Sequence, residues 1–192
     1  MKKKVTILGS TGSIGVNALN VINNLEIDIV GLSANTNSQL LIEQAKKFQP
    51  ESVSIVDEDA YLIVKDALKN TSIDVLCGKN GLLEISSRDD VDLVLNALVG
   101  SSGMLPTVYA IRAGADIALS NKESLVMAGK IIERERKKAN VNIFPVDSEH
   151  SAIWQCLVGD THTSAASVSH AHGRSVDGDS LRAIASLGTL PA

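Results

Sequence analysis

Cysteine is scarce in this 192-residue sequence, which contains only Cys77 and Cys156. Neither belongs to a CxxC motif, so the sequence predicts neither a disulfide framework nor a cysteine-ligated zinc site. An excess of positive charge is also absent, because 18 lysines and arginines are balanced by 22 aspartates and glutamates. This balance argues against a nucleic-acid-binding surface and predicts no nucleic-acid partner.

Long hydrophobic runs are absent as well. No apolar stretch approaches the roughly 20 residues that a transmembrane helix needs. The lysines at positions 2–4 are followed by a short strand-like run and then by glycines, which does not fit a signal peptide. These absences predict a cytoplasmic protein without a membrane partner. With 44% hydrophobic residues, the chain can still bury a full globular core.

Short apolar runs rich in Val, Ile and Leu alternate with longer segments of helical spacing. Strands are predicted at residues 5–8, 27–32, 53–56, 73–76, 91–98, 116–119 and 141–145. Helices are predicted at 14–25, 38–48, 59–69, 105–113 and 122–138, with another beginning near Ser148. This alternation predicts an α/β, Rossmann-like, doubly wound fold with a mostly parallel sheet. Its ligand is expected beyond the carboxyl ends of the strands.

The composition changes after Gly159. No lysine or asparagine occurs in residues 160–192, whereas three of the four histidines lie there. His162, His170 and His172 stand among serines, alanines and glycines. We interpret this segment as foreign or out-of-frame sequence rather than as a metal-binding tract.

The first predicted strand is followed by Gly-Ser-Thr-Gly-Ser-Ile-Gly at residues 9–15. In such a loop, glycines permit a tight turn, and the N–H groups at the start of the next helix attract a pyrophosphate. A glycine-rich turn that merely connects strand and helix is the alternative, but the position after the first strand favours a dinucleotide site. Residues 31–37, after the second strand, contain no carboxylate that would repel a 2′-phosphate. This absence favours NADPH over NADH, although no arginine is present there either.

Two later segments, 118–126 and 145–153, each follow a predicted strand and begin a predicted helix. Lys122 could neutralise a phosphate or polarise an oxygen, or it could be a surface lysine at a helix start. Asp147 and Glu149 are one residue apart, so their oxygens can converge on a hard cation. Alternatively, these carboxylates interact with the helix dipole while Ser148 caps the helix.

Five motifs resemble those of the 1-deoxy-D-xylulose 5-phosphate reductoisomerase family, in the order and spacing of that family. They are GSTGSIG at 9–15, ALVG with GMLPT at 97–107, AIRAG at 110–114, SNKESLV at 120–126 and PVDSEHSAIWQ at 145–155. The resemblance covers residues 4–158. It implies an NADPH-binding Rossmann domain at 1–145 and the truncated start of a catalytic domain at 146–159. We expect an atypical, out-of-frame or disordered tail at 160–192.

The resemblance also implies a role for each matched residue. Cofactor contacts are expected from Gly9, Thr11, Gly12, Ser13 and Ile14 at the phosphates, Asn37 at the adenosine side, and Asn121 and Glu123 at the nicotinamide side. Substrate contacts are expected from Lys122, Ser148 and Glu149, catalytic roles from Lys122 and Glu149, and Mg²⁺ or Mn²⁺ ligation from Asp147 and Glu149. At positions 35 and 36 the family more often has glycine and a basic residue than the asparagine and threonine found here.

The implied reaction is the NADPH-dependent rearrangement and reduction of 1-deoxy-D-xylulose 5-phosphate to 2-C-methyl-D-erythritol 4-phosphate, in the synthesis of isoprenoid precursors, by a homodimer. The family's third metal carboxylate and its substrate-covering loop have no counterpart after Gly159, so we expect NADPH binding with poor turnover. A nucleotide-binding fragment without catalysis is the alternative. A semialdehyde dehydrogenase is disfavoured, because neither Cys77 nor Cys156 has the flanking residues of a catalytic cysteine.

Overall fold

Seven parallel strands form one sheet. The structure, a computed structural model, describes residues 2–23, 25–120 and 122–146, with only the backbone of Lys122. The strands, β1 to β7 in chain order, are Lys3–Leu8, Ile27–Ala34, Ser52–Ile55, Asp74–Cys77, Leu93–Asn96, Asp116–Leu119 and Ile143–Pro145. Their order across the sheet is β4-β3-β2-β1-β5-β6-β7, and every pairing is parallel. The predicted α/β fold with a parallel sheet is confirmed.

Helices cover both faces of this sheet. The α-helices of the described residues, α1 to α6, are Ser13–Ile22, Ser38–Phe48, Glu58–Leu68, Gly78–Ser86, Met104–Ala113 and Lys122–Ala139, and a short 3-10 helix spans Gly100–Gly103. Buried side chains of α1, α2 and α3 join one core cluster, and those of α4, α5 and α6 join another. The strand order explains this division. Strands β2 to β4 are added on one side of β1, and after β4 the chain crosses back so that β5 to β7 are added on the other side. Right-handed crossovers then place the later helices on the opposite face.

The inner strands are buried on both faces, as a parallel sheet between two helical layers requires, whereas the edge strands β4 and β7 are only partly buried. In β5, Val94 packs in the cluster of α4 to α6, whereas its neighbour Leu95 packs in the cluster of α1 to α3. Ile117 and Ala118 alternate in the same way in β6. This two-sided burial accounts for the nearly continuous apolar runs in the sequence. Among the helices of residues 2–146 that are described, none has the length and apolar character of a membrane span.

One helix was not predicted from the sequence pattern. α4 lies between β4 and β5, where its first turn contains Gly78 and Gly81. These residues have low helix propensity and favour a turn instead. Leu82 and Ile85 are nevertheless buried against the sheet, at 6% and 1% exposure. Tertiary packing of this kind provides most of the stability of short helices and overrides propensity.

The carboxyl ends of β1 and β5 form the switch point of the sheet. β1 pairs with β2 on one side and with β5 on the other. From β1 the chain passes through α1 to β2, while β5 begins the return path in the other direction. In open α/β sheets, ligands bind in the crevice at this point. The fold therefore places the candidate site directly after β1.

Candidate nucleotide-binding site

The glycine loop, residues 9–15, begins at the switch point. Gly9 has a φ of 78°, a left-handed backbone conformation that residues with side chains rarely adopt. A Cβ atom on Gly9 would also lie only 2.9 Å from the carbonyl oxygen of Ala97, just past β5. Glycine at this position therefore allows the chain to turn directly against the end of β5.

Gly15 allows α1 to pack on the same loop. A Cβ atom on Gly15 would lie 2.4 Å from the Gly9 carbonyl oxygen and 2.5 Å from the Ser10 Cα atom, which is closer than side chains approach backbone. The Gly12 N–H donates to the Gly9 carbonyl oxygen at 3.1 Å and closes the turn. The first turn of α1 is thus held over Gly9, with its N-terminus at the crevice.

The N-terminus of α1 has no side-chain cap. Gly12 occupies the N-cap position, and among the described residues it makes no side-chain cap bond to the N–H groups of the first turn. In contrast, Asn37 Oδ1 accepts from the Leu40 N–H at 3.1 Å, and Asp57 Oδ1 accepts from the Ala60 N–H at 2.8 Å, which caps α2 and α3. First-turn N–H groups lack partners within a helix and lie at its positive end. The start of α1 therefore provides donors for an anion such as a pyrophosphate.

The residues predicted to contact the cofactor phosphates lie together at this helix start. Gly12 and Ser13 are exposed, and Gly9, Thr11 and Ile14 are partly buried. Because all five belong to one turn at the carboxyl edge of the sheet, a single phosphate group could be reached from several of them. Their contact with NADPH stays a prediction.

Buried hydrogen bonds hold the glycine loop from the side of β2 and α2. Ser33 Oγ accepts from the Gly9 N–H at 3.0 Å, and the Ser33 carbonyl oxygen accepts from the Ser10 N–H at 2.8 Å. Gln44 bonds to both the hydroxyl and the carbonyl group of Ser10. Ser10, Ser33 and Gln44 were not predicted from the sequence. The available signals were a serine inside an apolar strand and a glutamine on the apolar face of α2.

The predicted adenosine side lies at the end of β2, next to the glycine loop. Asn35, Thr36 and Asn37 are all exposed. Because Asn37 Oδ1 caps α2, the amide N–H groups of that side chain are the ones left to donate to a ligand. Asp57, in the neighbouring turn, uses its carboxylate to cap α3 and donates its N–H to the Asn35 carbonyl oxygen at 3.0 Å. The turn after β2 thus has no carboxylate of its own.

Asn96, at the end of β5, organises the loop on the other side of the crevice. Its side chain is fully buried, at 0% exposure. Nδ2 donates to the Gly103 carbonyl oxygen and to Thr107 Oγ1, each at 2.8 Å, and Oδ1 accepts from the Leu98 N–H at 3.1 Å. These bonds fix the loop that carries the 3-10 helix. Asn96 was not predicted from the sequence, where its signal was an amide at the end of an apolar strand.

The residues predicted near the nicotinamide follow β6 at the same edge. The Ser120 N–H donates to the Asn96 carbonyl oxygen at 3.0 Å, which joins the end of β6 to that of β5. Lys122 is the first residue of α6, and Glu123 is exposed in its first turn. Asn121 lies outside the described residues. The roles of Asn121, Lys122 and Glu123 stay predictions.

The predicted metal ligands follow β7. Val146 is fully buried, and its N–H donates to the Leu119 carbonyl oxygen at 3.0 Å, so the chain leaves the sheet beside β6 at the carboxyl edge. Asp147, Ser148 and Glu149 lie outside the described residues. In the described ranges up to Val146, no group of three or more His, Cys, Asp or Glu residues could hold a metal ion. The metal and substrate roles after β7 therefore stay predictions.

A network of ion pairs lies at the opposite, amino edge of the sheet. Lys4 Nζ is 2.7 Å from Asp90 Oδ2, and the Arg88 guanidinium contacts both Asp90 and Glu51. Hydrogen bonds from Arg88 and then from Lys4 lower the pKa of Asp90 to about 2. The pKa of Glu51 is lowered as well, mainly by its hydrogen bond with Arg88. Because these groups lie across the sheet from the glycine loop, we assign them to stability rather than to the site.

Comparison with known proteins identifies the family. A family model described as 1-deoxy-D-xylulose 5-phosphate reductoisomerase matches residues 5–129. The chain belongs to the 1-deoxy-D-xylulose 5-phosphate reductoisomerase family. The reductoisomerase of Chloroherpeton thalassium is 48% identical over 160 residues, and that of Ruminiclostridium cellulolyticum is 44% identical over 160 residues. These alignments cover 82% and 83% of this chain, but 41% and 42% of the two relatives.

Solved reductoisomerase structures share the fold. The reductoisomerase from Zymomonas mobilis in complex with NADPH is 37% identical with a TM-score of 0.78, and the match covers 81% of this chain and 41% of that chain. A reductoisomerase in complex with NADPH, fosmidomycin and magnesium is 37% identical with a TM-score of 0.77, and the match covers 80% and 38% of the two chains. The family and the Rossmann-like fold predicted from the motifs are confirmed. The chain spans about two fifths of the length of these reductoisomerases.

Proposed function

We propose that residues 1–145 form the NADPH-binding domain of a reductoisomerase that converts 1-deoxy-D-xylulose 5-phosphate to 2-C-methyl-D-erythritol 4-phosphate. The observation that carries this proposal is the uncapped N-terminus of α1, held over Gly9 at the switch point. A pyrophosphate needs such N–H donors and the close backbone approach that glycine allows. Family membership and the NADPH in the Zymomonas mobilis relative support the same ligand.

In the proposed site, NADPH lies across the carboxyl ends of β2, β1, β5 and β6. Its contacts are Asn37 at the adenosine, Gly9, Thr11, Gly12, Ser13 and Ile14 at the phosphates, and Asn121 and Glu123 at the nicotinamide. Neighbouring strands are about 4.8 Å apart, so the turns after β1 and β6 lie on the order of 10 Å from each other. An extended dinucleotide can bridge that separation, so one cofactor can engage both turns.

The sugar phosphate substrate is proposed to lie beside the nicotinamide, between the start of α6 and the residues after β7. Lys122, Ser148 and Glu149 bind it, and Lys122 and Glu149 are the proposed catalytic residues. The Lys122 ammonium offsets the negative charge of the substrate, and the Ser148 hydroxyl provides a hydrogen bond.

Asp147 and Glu149 provide carboxylates for Mg²⁺ or Mn²⁺, with water and substrate oxygens as further ligands. Bound there, the cation supplies Lewis acidity toward the substrate carbonyl. Residues 146–159 accordingly begin the catalytic domain, and residues 160–192 are the atypical tail.

The preference for NADPH over NADH can be tested at the end of β2. We expect isothermal titration to show tighter binding of NADPH than of NADH. Asn35→Asp introduces the carboxylate that NAD-dependent enzymes place there, so it should weaken NADPH binding at least about tenfold and spare NADH. Asn70→Asp is the matched control, since it adds the same charge between α3 and β4, away from the carboxyl edge. Equal loss in both variants would contradict the proposed position of the 2′-phosphate.

Catalysis requires a separate measurement. Oxidation of NADPH on addition of 1-deoxy-D-xylulose 5-phosphate and Mg²⁺ would support the full reaction, and removal of the cation by a chelator should stop it. NADPH affinity without such oxidation would support the second candidate, a nucleotide-binding module without catalysis. Absence of NADPH affinity would contradict both the reductoisomerase and the nucleotide-binding module. Sedimentation would test the proposed homodimer.

A further inference from the structure

Ser10 is the residue of the glycine loop that faces the protein interior. It is fully buried, at 0% exposure, although Thr11, Gly12 and Ser13 beside it reach solvent. Its hydroxyl donates to Gln44 Oε1 at 2.7 Å, with the Ser33 carbonyl oxygen as a more distant acceptor at 3.2 Å, and Gln44 Nε2 donates to its carbonyl oxygen at 2.9 Å. One amide side chain thus bonds to both polar groups of Ser10 and fixes its orientation.

Gln44 is itself held in place by the packing of α2. Leu41 and Ala45, on the same face of the helix, are both fully buried in the core cluster of α1 to α3. Gln44 is only 6% exposed. A buried amide with both ends hydrogen-bonded has one preferred position, because each lost bond would leave a desolvated polar group unpaired. α2 therefore presents a rigid pair of hydrogen-bonding groups to the loop.

The loop needs such support because its own backbone is permissive. Gly9, Gly12 and Gly15 restrict the chain less than other residues do, so an isolated loop of this sequence would populate many conformations. Phosphate binding requires one of them, and ordering the loop on binding would reduce the affinity. Gln44 and Ser33 restrict the loop through hydrogen bonds between protein atoms, Ser33 at the Gly9 N–H and Gln44 at the Ser10 carbonyl oxygen.

We propose that Gln44 is a positioning residue that fixes the phosphate-binding loop through Ser10. It is not a ligand of the cofactor, since its side chain lies beneath the loop. The inference rests on the proposed NADPH binding by this loop. α2 would then serve the site twice. Gln44 fixes the phosphate-binding loop, and Asn37, which caps the start of the same helix, lies on the proposed adenosine side.

The experiment measures NADPH affinity by isothermal titration for the whole chain and three variants. Gln44→Met keeps the side-chain length but removes both hydrogen bonds, and Ser10→Ala removes only the hydroxyl. We expect each variant to bind NADPH about five- to tenfold more weakly than the parent. The double variant should bind little more weakly than Gln44→Met alone, because the 2.7 Å bond of the Ser10 hydroxyl to Gln44 is already lost in Gln44→Met and the only other contact of that hydroxyl among the described residues, to the Ser33 carbonyl oxygen, is longer at 3.2 Å. Additive losses in the double variant, or unchanged affinity in both single variants, would overturn the proposal.

A stability control separates positioning from general loosening of the core. Leu41→Met alters a fully buried residue of α2 that is not hydrogen-bonded to the loop, so it should lower the melting temperature and leave NADPH affinity unchanged. If Leu41→Met weakens NADPH binding as much as Gln44→Met does, Gln44 has only a structural role. Ser10→Ala removes a single oxygen and keeps the test available if Gln44→Met does not fold.

Hydrogen exchange provides a reading that does not depend on the cofactor. In Gln44→Met we expect faster amide exchange at Gly12 and Val16, whose N–H groups are bonded within the loop and the first turn of α1. If the parent chain binds no NADPH, the proposed function fails, while faster exchange would still support loop fixation by Gln44. If the parent binds NADPH and the exchange rates of Gln44→Met match the parent's, the positioning proposal fails and the proposed function stands.

Discussion

Replacing Gly15 by alanine tests the packing of α1 on the glycine loop. The added Cβ atom would lie 2.4 Å from the Gly9 carbonyl oxygen, whereas ordinary contacts begin at 3.4 Å, so the helix start and the loop must separate by about 1 Å. The neighbouring contacts at 2.5 and 2.7 Å are also to backbone atoms, which cannot rotate away. Overpacking costs about 1–3 kcal/mol, and a clash with three backbone atoms belongs to the upper part of that range, which exceeds the roughly 1 kcal/mol that alanine gains over glycine in a helix.

Thermal unfolding followed by far-UV circular dichroism measures this effect. For a chain of this size about 1 kcal/mol corresponds to roughly 2–4 °C, so a net loss of about 1–2 kcal/mol should lower the melting temperature of Gly15→Ala by roughly 2–8 °C. Gly129→Ala is the matched control, because a Cβ atom there meets no atom within 4 Å. It should raise the melting temperature slightly. Similar shifts in the two variants would refute the close approach of α1 to the loop.

Two further predictions concern the loop after β5 and the ion pairs at the amino edge. Asn96→Ala removes the 2.8 Å hydrogen bonds of this buried amide to the Gly103 carbonyl oxygen and to Thr107 Oγ1, so the free energy of unfolding should fall by about 1–3 kcal/mol in chemical denaturation, and an unchanged midpoint would contradict the role of this amide. Asp90 has a pKa lowered from 3.8 to about 2, so its contribution to stability is present above pH 4 and is lost as the pH falls toward 2. The denaturation midpoint should therefore depend less on pH in this interval in Asp90→Asn than in the parent. Asp66→Asn, whose partner Lys69 is one exposed helical turn away, should keep the parent's pH dependence.

The fold could be predicted because its main signals are local. Apolar runs such as the one that contains Val94 and Leu95 are typical of strands buried on both faces, and the observed strand is a shorter part of the predicted run. α4 was missed for the converse reason. Its first turn contains two glycines, and only contact with the sheet through Leu82 and Ile85 makes the segment helical.

The candidate site could be predicted in part. The glycine loop is a short contiguous motif, so the sequence alone locates Gly9 and Gly15. The supports of the loop are distant in sequence, since Ser33 and Gln44 are 24 and 34 residues away from the loop residues to which they bond. Periodicity predicts that such positions are buried but does not predict which polar group they meet. The long-range hydrogen bonds of these buried polar residues are therefore seen only in the structure.

In the proposed site, the order of the strands sets the order in which the parts of NADPH and the cation lie along the crevice. In the proposed site the adenosine lies at the end of β2, the pyrophosphate at β1, the nicotinamide at β5 and β6, and the cation after β7. Each step is one strand spacing, about 4.8 Å, so the carboxyl ends of β1 and β7 lie about 14 Å apart across the sheet. In the proposed reaction only the nicotinamide end of the cofactor has to lie near the cation. If the pyrophosphate binds at the start of α1 as proposed, helix N-terminal N–H groups would hold it and no metal would be needed there, so NADPH binding to this chain should survive removal of divalent cations by a chelator.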